Sequence, residues 1–273
     1  MTEQMKSFVP VIKWSGSKRL QAAFIFQHFP TDFETYYEPF VGGGAVLYAA
    51  CPSHAIAGDV CAPLIELWKV IQRDPDRLVE HYSKHWQCLQ NEGYPVFYAV
   101  RDRFNINQDP SDLFFLSRTC VNGLIRFNSN GEFNNSLHHT RKGVRPETAA
   151  GIIRQWSTRL AHVQFLAGDY RQITQNASVG DLVYLDPPYF HTKGRYYGNI
   201  DFGAFLDYLE GLNSKGVRFI LSFDGKRGDK TYKTSLPDSL YSRKFLVPSG
   251  NSPFKKVMEN KSEMVEEALY INW

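Results

Sequence analysis

No two cysteines of this chain stand close enough to suggest a shared site. Cys51, Cys61, Cys88 and Cys120 are scattered, with no C-x-x-C pair. That argues against a zinc site or a disulfide framework and for reduced thiols. No uninterrupted apolar stretch reaches the roughly 20 residues of a membrane-spanning helix. Residues 1–10 lack the apolar core of a secretory signal. The expected setting is the cytoplasm, with no membrane partner and no bound metal. A strong excess of one charge is also missing. The 31 basic and 28 acidic residues leave +3, too little to establish a nucleic-acid partner. What remains, 273 residues with 43% hydrophobic and 22% charged content, is ordinary for a globular protein. It fits one large domain, or one domain with a second inserted.

The pattern along the chain divides in three. Residues 8–12 are a short apolar run, broken by Lys13-Trp14-Ser15-Gly16-Ser17-Lys18. The spacing of Leu20, Ala23, Phe24 and Phe26 predicts a helix over residues 18–29. A strand over residues 35–40 runs into Gly42-Gly43-Gly44, a helix begins at residues 45–50, and a second strand over 54–59 ends in Asp59. Strand, glycine turn, helix, strand, acid is the order of an α/β nucleotide-binding unit. Residues 62–160 are dominated by helical periodicity. Strand-like runs resume at 163–166, 182–185, 218–223 and 268–271, with a crossover helix over 201–212. The expectation is an α/β sheet in two parts, 1–61 and 161–273, interrupted by a mainly helical insertion over 62–160.

Glycine lets the backbone turn tightly and lets a neighbour approach where a Cβ would stand. An acid at the end of the following strand, here Asp59, suits ribose hydroxyls. No Lys-Ser/Thr follows the glycines, so this is not a phosphate-gripping P-loop. A ligand with a ribose and no pyrophosphate fits, and S-adenosylmethionine is one. The Lys13–Lys18 segment offers an aromatic face and two cations that suit the methionine end of such a ligand, or it is a plain basic loop. Asp169 suits an adenine amine, or a helix N-cap.

The apolar run Leu182-Val183-Tyr184-Leu185 ends in Asp186-Pro187-Pro188-Tyr189. An exocyclic amine is a weak nucleophile because its lone pair is delocalised into the ring. Hydrogen bonds from its two N–H groups to the Asp186 carboxylate and the Pro187 carbonyl localise that pair and aim it. Consecutive prolines fix φ and so the carbonyl's direction. Tyr189 offers a stacking face. A base inside a duplex cannot reach such a group, so it must be flipped out at a cost of about a few kcal/mol.

These motifs together resemble the Dam-like, D12 class of N6-adenine-specific DNA methyltransferases in the α-group order. The matching residues are the 13–18 loop, Glu38-Pro39-Phe40-Val41-Gly42-Gly43-Gly44, Asp59, Asp169 and Asp186-Pro187-Pro188-Tyr189. Residues 116–128 with Gly131-Glu132-Phe133-Asn134 look like the family's recognition hairpin. The resemblance implies a Rossmann-like S-adenosylmethionine-dependent methyltransferase sheet with an inserted, mainly helical DNA-recognition domain carrying a β-hairpin. It implies that Trp14, Lys18, Phe40, Gly42, Gly43, Gly44, Asp59 and Asp169 surround S-adenosylmethionine, with Asp186 between cofactor and target amine. Asn122 and Arg126 are then expected at double-stranded DNA, with Arg126 suited to a guanine edge. Arg118, and Lys193, Arg195 and Tyr196 of a basic aromatic loop, are expected there too, while residues 249–256 read as a second basic loop. GATC-methylating members usually continue the hairpin with a Val-Pro-Phe-Gly-like segment. Here Asn134 is followed by Asn135-Ser136-Leu137-His138-His139, which tells against GATC as the recognised site. A monomer is expected, and a cognate restriction enzyme is left open as a partner.

Three other readings compete with methylation of adenine N6 in DNA. Methylation of cytosine N4 poses the same chemistry, but family members acting on cytosine more often carry serine at the position of Asp186. An RNA substrate fits the hairpin less well. A binding-only descendant has no need of the acid at 186 or of the intact glycine turn.

Overall fold

The computed structural model describes residues 8–188, 200–227, 230–231, 236–251 and 264–273. The first helix, α1 (Ala22–Phe26), is shorter than the 18–29 that the sequence predicts. Residues 18–21 turn instead, with the Ala22 N–H on the Lys18 carbonyl at 2.7 Å, and Lys18 points inward. Strand β1 (Tyr36–Glu38) stops before Pro39, which has no N–H to give a neighbouring strand. Helix α2 (Ala45–Ala50) and β2 (Ala55–Asp59) follow as the pattern predicts.

Five helices come next: α3 (Ala62–Arg73), α4 (Pro75–Glu92), α5 (Tyr94–Asn107), α6 (Pro110–Thr119) and α7 (Pro146–Arg159). Each carries proline in its first turn, where the missing N–H costs nothing and φ is already helical. Asp74 caps α4 and Asp109 caps α6 through side-chain bonds to first-turn N–H groups. Residues 120–145 between α6 and α7 hold a 3₁₀ turn (Val121–Gly123) and isolated antiparallel bridges, Cys120 to Leu137 and Phe127 to Phe133.

The chain then returns to the sheet through β3 (Val163–Ala167), a short helix α8 (Tyr170–Ile173), β4 (Leu182–Leu185), α9 (Phe202–Ser214) and β5 (Arg218–Arg227). A two-residue strand, β6 (Lys230–Thr231), pairs with the end of β5. The last two are β7 (Arg243–Asn251) and β8 (Met264–Ile271). The sheet runs β3-β2-β1-β4-β5-β8-β7. Strands β1 to β5 pair in parallel, and β8 lies antiparallel to both β5 and β7. The sequence does not predict β7, and residues 249–251, expected as loop, are its end. Residues 252–256 lie outside the described residues.

Both faces of the sheet are covered, as parallel strands require. Side chains alternate along a strand, so β4 sends Leu182 and Tyr184 into one core and Val183 and Leu185 into the other. The first core is continuous with the helical segment, and contains Trp68 of α3, Trp156 of α7 and Phe114 of α6. Trp68 stacks on Phe165 of β3 at 5.8 Å, and Trp156 lies 5.3 Å from Trp68. Of the helices expected in the insertion, α3 therefore packs on β2 and β3 of the sheet, while α7 packs on α3 and α4. The second core packs α9 on the opposite face through Phe205, Leu209 and Leu212. Each such side chain contributes about 1.5–3 kcal/mol when fully buried. Among the described residues no helix is long and apolar enough to cross a membrane, and the four cysteines are free thiols.

Candidate functional site

Strands β1 and β4 are neighbours, but the chain leaves them in opposite directions along the sheet. Nothing covers the carboxyl ends of two strands that part in this way, and a crevice opens there. The cleft at this point encloses about 1020 Å³ including its mouth. Its wall takes residues from the ends of four strands: Phe40 and the glycines after β1, Asp59 of β2, Asp169 after β3, and Asp186 after β4. Trp14 and Lys18 of the amino-terminal loop close one side. The structure thus gathers every expected cofactor residue into one cleft.

The glycine turn is tight because the protein itself crowds it. Gly42 and Gly44 have φ of 43° and 65°, a region that favours glycine. A Cβ on Gly42 would stand 2.7 Å from Trp14 Cδ1, and one on Gly44 3.1 Å from Trp68 Cζ2. The neighbours that need the missing Cβ atoms are therefore tryptophans. Trp68 also donates its indole N–H to the Gly42 carbonyl at 3.0 Å, fixing the turn from below.

Asp59 accepts the Gly42 N–H at 3.2 Å and the Cys61 N–H at 3.0 Å. Burial outweighs these bonds and pushes its carboxyl up to about 6. Asp169 is the N-cap of α8, accepting from the Arg171 N–H and pairing with its guanidinium at 2.8 Å. The cap alternative in the sequence is therefore realised, while the side chain still lines the cleft. Phe40 stacks on Tyr170 at 5.4 Å, presenting a flat apolar wall.

At the far end sits a cluster of buried charge. Lys18, only 6% exposed, lies 2.7 Å from Asp186 Oδ1 and 2.9 Å from Glu267 Oε1. Lys18 thus lines the cleft where it is expected, with its ammonium held between two carboxylates of the protein. The other oxygen of Asp186 accepts no hydrogen bond among the described residues. Burial raises the Asp186 carboxyl, Lys18 lowers it and Glu267 raises it, with a net upward shift. Glu38, at the end of β1, is pushed to about 8 by burial, with the Asp186 charge adding to the rise and the 2.5 Å bond from Tyr36 opposing it. Pro187 is buried and Pro188 half-buried in the same wall. Tyr189, Lys193, Arg195 and Tyr196 lie outside the described residues.

The three expected DNA residues of the 116–128 segment part company. Asn122 and Arg126 are exposed, and Asn122 takes φ 58°, a conformation asparagine tolerates better than most residues. Arg118 does not reach the surface. It is buried on α6, donates to the Pro10 carbonyl at 3.1 Å and lies over the Phe114 ring. Its expectation at DNA is corrected accordingly. The hairpin is anchored by Asn105 of α5, which exchanges two bonds with the Phe133 backbone at 2.8 and 3.2 Å. Asn135, in the segment that departs from the GATC-type pattern, donates to the Val121 and Leu124 carbonyls at 3.0 and 2.9 Å. It thereby staples the turn that carries Asn122. Sequence reasoning missed Asn135 and Glu267, and the one available signal for Glu267 was an acid directly before the apolar run of residues 268–271.

Away from the cleft, His81, His85 and Asp112 approach one another with metal-ligand chemistry. Arg103 already takes both Asp112 oxygens, at 2.7 and 2.5 Å, and its Nη2 lies 3.0 Å from His85 Nε2. Burial favours the neutral Asp112 carboxyl, but the hydrogen bonds and charge of Arg103 and His81 outweigh it and hold the group at about 2. A guanidinium thus serves as the cation of this cluster.

Comparison with known proteins adds to this geometry. The family model for D12 class N6 adenine-specific DNA methyltransferases matches residues 14–268. The chain is 33% identical over 242 residues to type II methyltransferase M.MjaIII of Methanocaldococcus jannaschii, covering 78% of this chain and 83% of that protein. It is 31% identical over 189 residues to the DNA adenine methylase of Serratia marcescens, covering 68% of each. Modification methylase StsI of Streptococcus sanguinis is 28% identical over 266 residues, covering 90% of this chain and 40% of that protein.

Proposed function

The chain belongs to the D12 class of N6 adenine-specific DNA methyltransferases, and from that premise we propose that it uses S-adenosylmethionine to methylate a flipped-out adenine at a specific site in double-stranded DNA. The observation that carries this reading is the Asp186 oxygen that accepts no hydrogen bond among the described residues, at the switch point of the sheet, with Lys18 buried between Asp186 and Glu267.

The residues of the cleft fit S-adenosylmethionine. Asp59 and Asp169 offer carboxylate oxygens to hydroxyl and amine donors, and Phe40 with Tyr170 offers a flat wall to a purine. Lys18 is held between the Asp186 and Glu267 carboxylates, so this end of the cleft offers two acids to a sulfonium. The bound cofactor supplies a methyl group on positively charged sulfur, already activated for displacement.

The chain's own residues do the rest by placement. Asp186 Oδ2 and the Pro187 carbonyl accept the two N–H groups of the target amine, turn its lone pair out of the ring plane and aim it. Such alignment converts a collision into an intramolecular step and accounts for most of the expected acceleration. Lys18 keeps Asp186 in its ionised form and fixes its other oxygen. Extrusion of the base costs about a few kcal/mol, and Tyr189 is the proposed stacking partner that offsets part of it.

Residues 62–160 supply DNA recognition in this reading, with α3 doubling as cover for the sheet. Arg126 on the hairpin reads a base edge, Asn122 contacts the DNA beside it, and the loop with Lys193, Arg195 and Tyr196 meets the backbone or the flipped base. The enzyme acts as a monomer. Calorimetric titration with S-adenosylmethionine tests the cofactor: saturable 1:1 binding, weakened about tenfold or more by Asp59→Ala, is expected. A folded protein that takes up no S-adenosylmethionine contradicts the proposal.

A further inference from the structure

We propose that Asn135 is a positioning residue for site selection: its side-chain amide closes a bulge in the hairpin and so fixes where Asn122 meets the duplex. The inference rests on the function proposed above, in which Asn122 contacts the DNA.

The bulge follows from the register of the hairpin. Its bridges pair Cys120 with Leu137 and Phe127 with Phe133. Between them one side runs through residues 121–126 and the other through residues 134–136. Antiparallel strands pair residue for residue, so the longer side must bulge. The surplus lies at Val121–Gly123, where Asn122 and Gly123 take φ of 58° and 67°. A Cβ on Gly123 would collide with Cδ of Lys13 and stand 3.2 Å from the Ser117 carbonyl. The inner side of the bulge is thus packed, and Asn122 is exposed.

Asn135 sits on the shorter side. Its Nδ2 donates to the Val121 carbonyl at 3.0 Å and to the Leu124 carbonyl at 2.9 Å, the two ends of the surplus. An amide nitrogen has two N–H donors, and both are used. Its Oδ1 accepts the Ser136 N–H at 2.9 Å, which fixes the orientation of the amide. The bulge's own bond, from the Leu124 N–H to the Val121 carbonyl, is long at 3.4 Å. The Cys120 thiol, 3.5 Å from the Leu124 carbonyl, is a weak donor. Asn135 therefore makes the shortest tie between the ends of the bulge. Left-handed backbone persists at a residue other than glycine only where its surroundings hold it.

Arg126 is held by other means. Its carbonyl accepts the Asn134 N–H at 3.1 Å, and Asn105 holds the Phe133 backbone. The two exposed side chains of one hairpin are thus positioned separately. Base contacts specify a site, whereas phosphate contacts set register and orientation. The geometry therefore links Asn135 to discrimination at the base pair that Asn122 serves, and not at the one that Arg126 serves.

Asn135→Asp keeps the side chain's shape but sets a carboxylate against two carbonyls. On a library of duplex sites, Asn122→Gly, which accepts the same φ, identifies the base pair served by Asn122, and Arg126→Ala the one served by Arg126. In Asn135→Asp, methylation should lose discrimination about tenfold at the first base pair and stay within about threefold at the second. S-adenosylmethionine affinity should stay within about threefold. Added to Asn122→Gly, Asn135→Asp should change discrimination by less than about twofold. Without cofactor or DNA, hydrogen exchange at the Gly123 amide should quicken about tenfold in Asn135→Asp, with the Asn134 amide unmoved. Equal loss at both base pairs, unchanged discrimination at the first, or unaltered exchange at Gly123 overturns the inference. So does an Asn122→Gly enzyme that discriminates as wild type at every base pair. If Asn135→Asp does not fold, Asn135→Ala removes both bonds without adding charge and is read in the same way. A folded wild type that methylates no DNA overturns the proposed function and this role with it. A wild type that methylates its site, beside an Asn135→Asp that discriminates equally well, overturns this role alone.

Discussion

Trp14 lies so close over Gly42 that a Cβ on the glycine would stand 2.7 Å from Cδ1 of the indole. The contact joins the amino-terminal loop to the turn after β1, two segments that both line the cleft. Gly42→Ala must therefore either displace Trp14 or distort a backbone with φ 43°. The expected cost is about 1–3 kcal/mol of stability, with a loss of cofactor affinity larger than that of a Trp68-distal surface variant such as Leu20→Ala. Thermal unfolding with and without S-adenosylmethionine checks both. An unchanged melting temperature and unchanged ligand-induced shift would show that the turn does not need its glycine.

Glu38 gives a pH signature in stability. Burial lifts its folded value to about 8 from 4.5, so the folded state prefers the protonated acid. The stability this provides is complete below about pH 4.5 and is lost as pH rises through about 8. Glu38→Gln is neutral at every pH. Its melting temperature relative to wild type should climb between pH 5 and pH 8 and level off above. A flat difference across that window contradicts the assignment.

Asp112 behaves in the opposite sense. Arg103 and His81 depress its folded value to about 2 from 3.8, so its contribution is present above about pH 3.8 and lost as pH falls towards 2. In urea unfolding, the advantage of wild type over Asp112→Asn should be constant near neutrality and shrink below pH 4. If the difference persists undiminished at pH 2.5, the ion pair is not its source.

The two arginines of the 116–128 segment should separate cleanly. Arg126 is exposed, and Arg126→Ala should leave the melting temperature unchanged while reducing discrimination at one base by about 1–3 kcal/mol. Arg118 is buried on the Pro10 carbonyl, and Arg118→Ala should lower stability by about 1–3 kcal/mol through the carbonyl left without its donor. Footprints on a library of DNA sites, read beside melting curves, check the pair. Altered selectivity in Arg118→Ala with unaltered stability would reverse the assignment.

The sequence exposes the parts of this fold that are local. β4 is legible because a strand buried on both faces is an unbroken apolar run, and Asp186 follows from it directly. The glycine turn and Asp59 are legible because both lie at strand ends. Lys18 and Glu267 meet only because β8 runs antiparallel beside β5, and no spacing within the chain encodes a contact across 249 positions. β7 escapes notice because Arg243-Lys244-Phe245-Leu246-Val247 mixes charge and apolar residues without alternation. Arg118 misleads because a resemblance of motifs does not say which side chain faces inward. Its helix, α6, is buried almost all round.

In the proposed function this cleft methylates adenine and Asp186 holds the amine. The most direct measurement is mass spectrometry of nucleosides from unmethylated DNA of varied sequence, incubated with S-adenosylmethionine and either wild type or Asp186→Ala. N6-methyladenine is expected from the wild type alone, with both proteins still binding DNA. N6-methyladenine from Asp186→Ala at the wild-type rate, or no methylated base from the folded wild type, would contradict it.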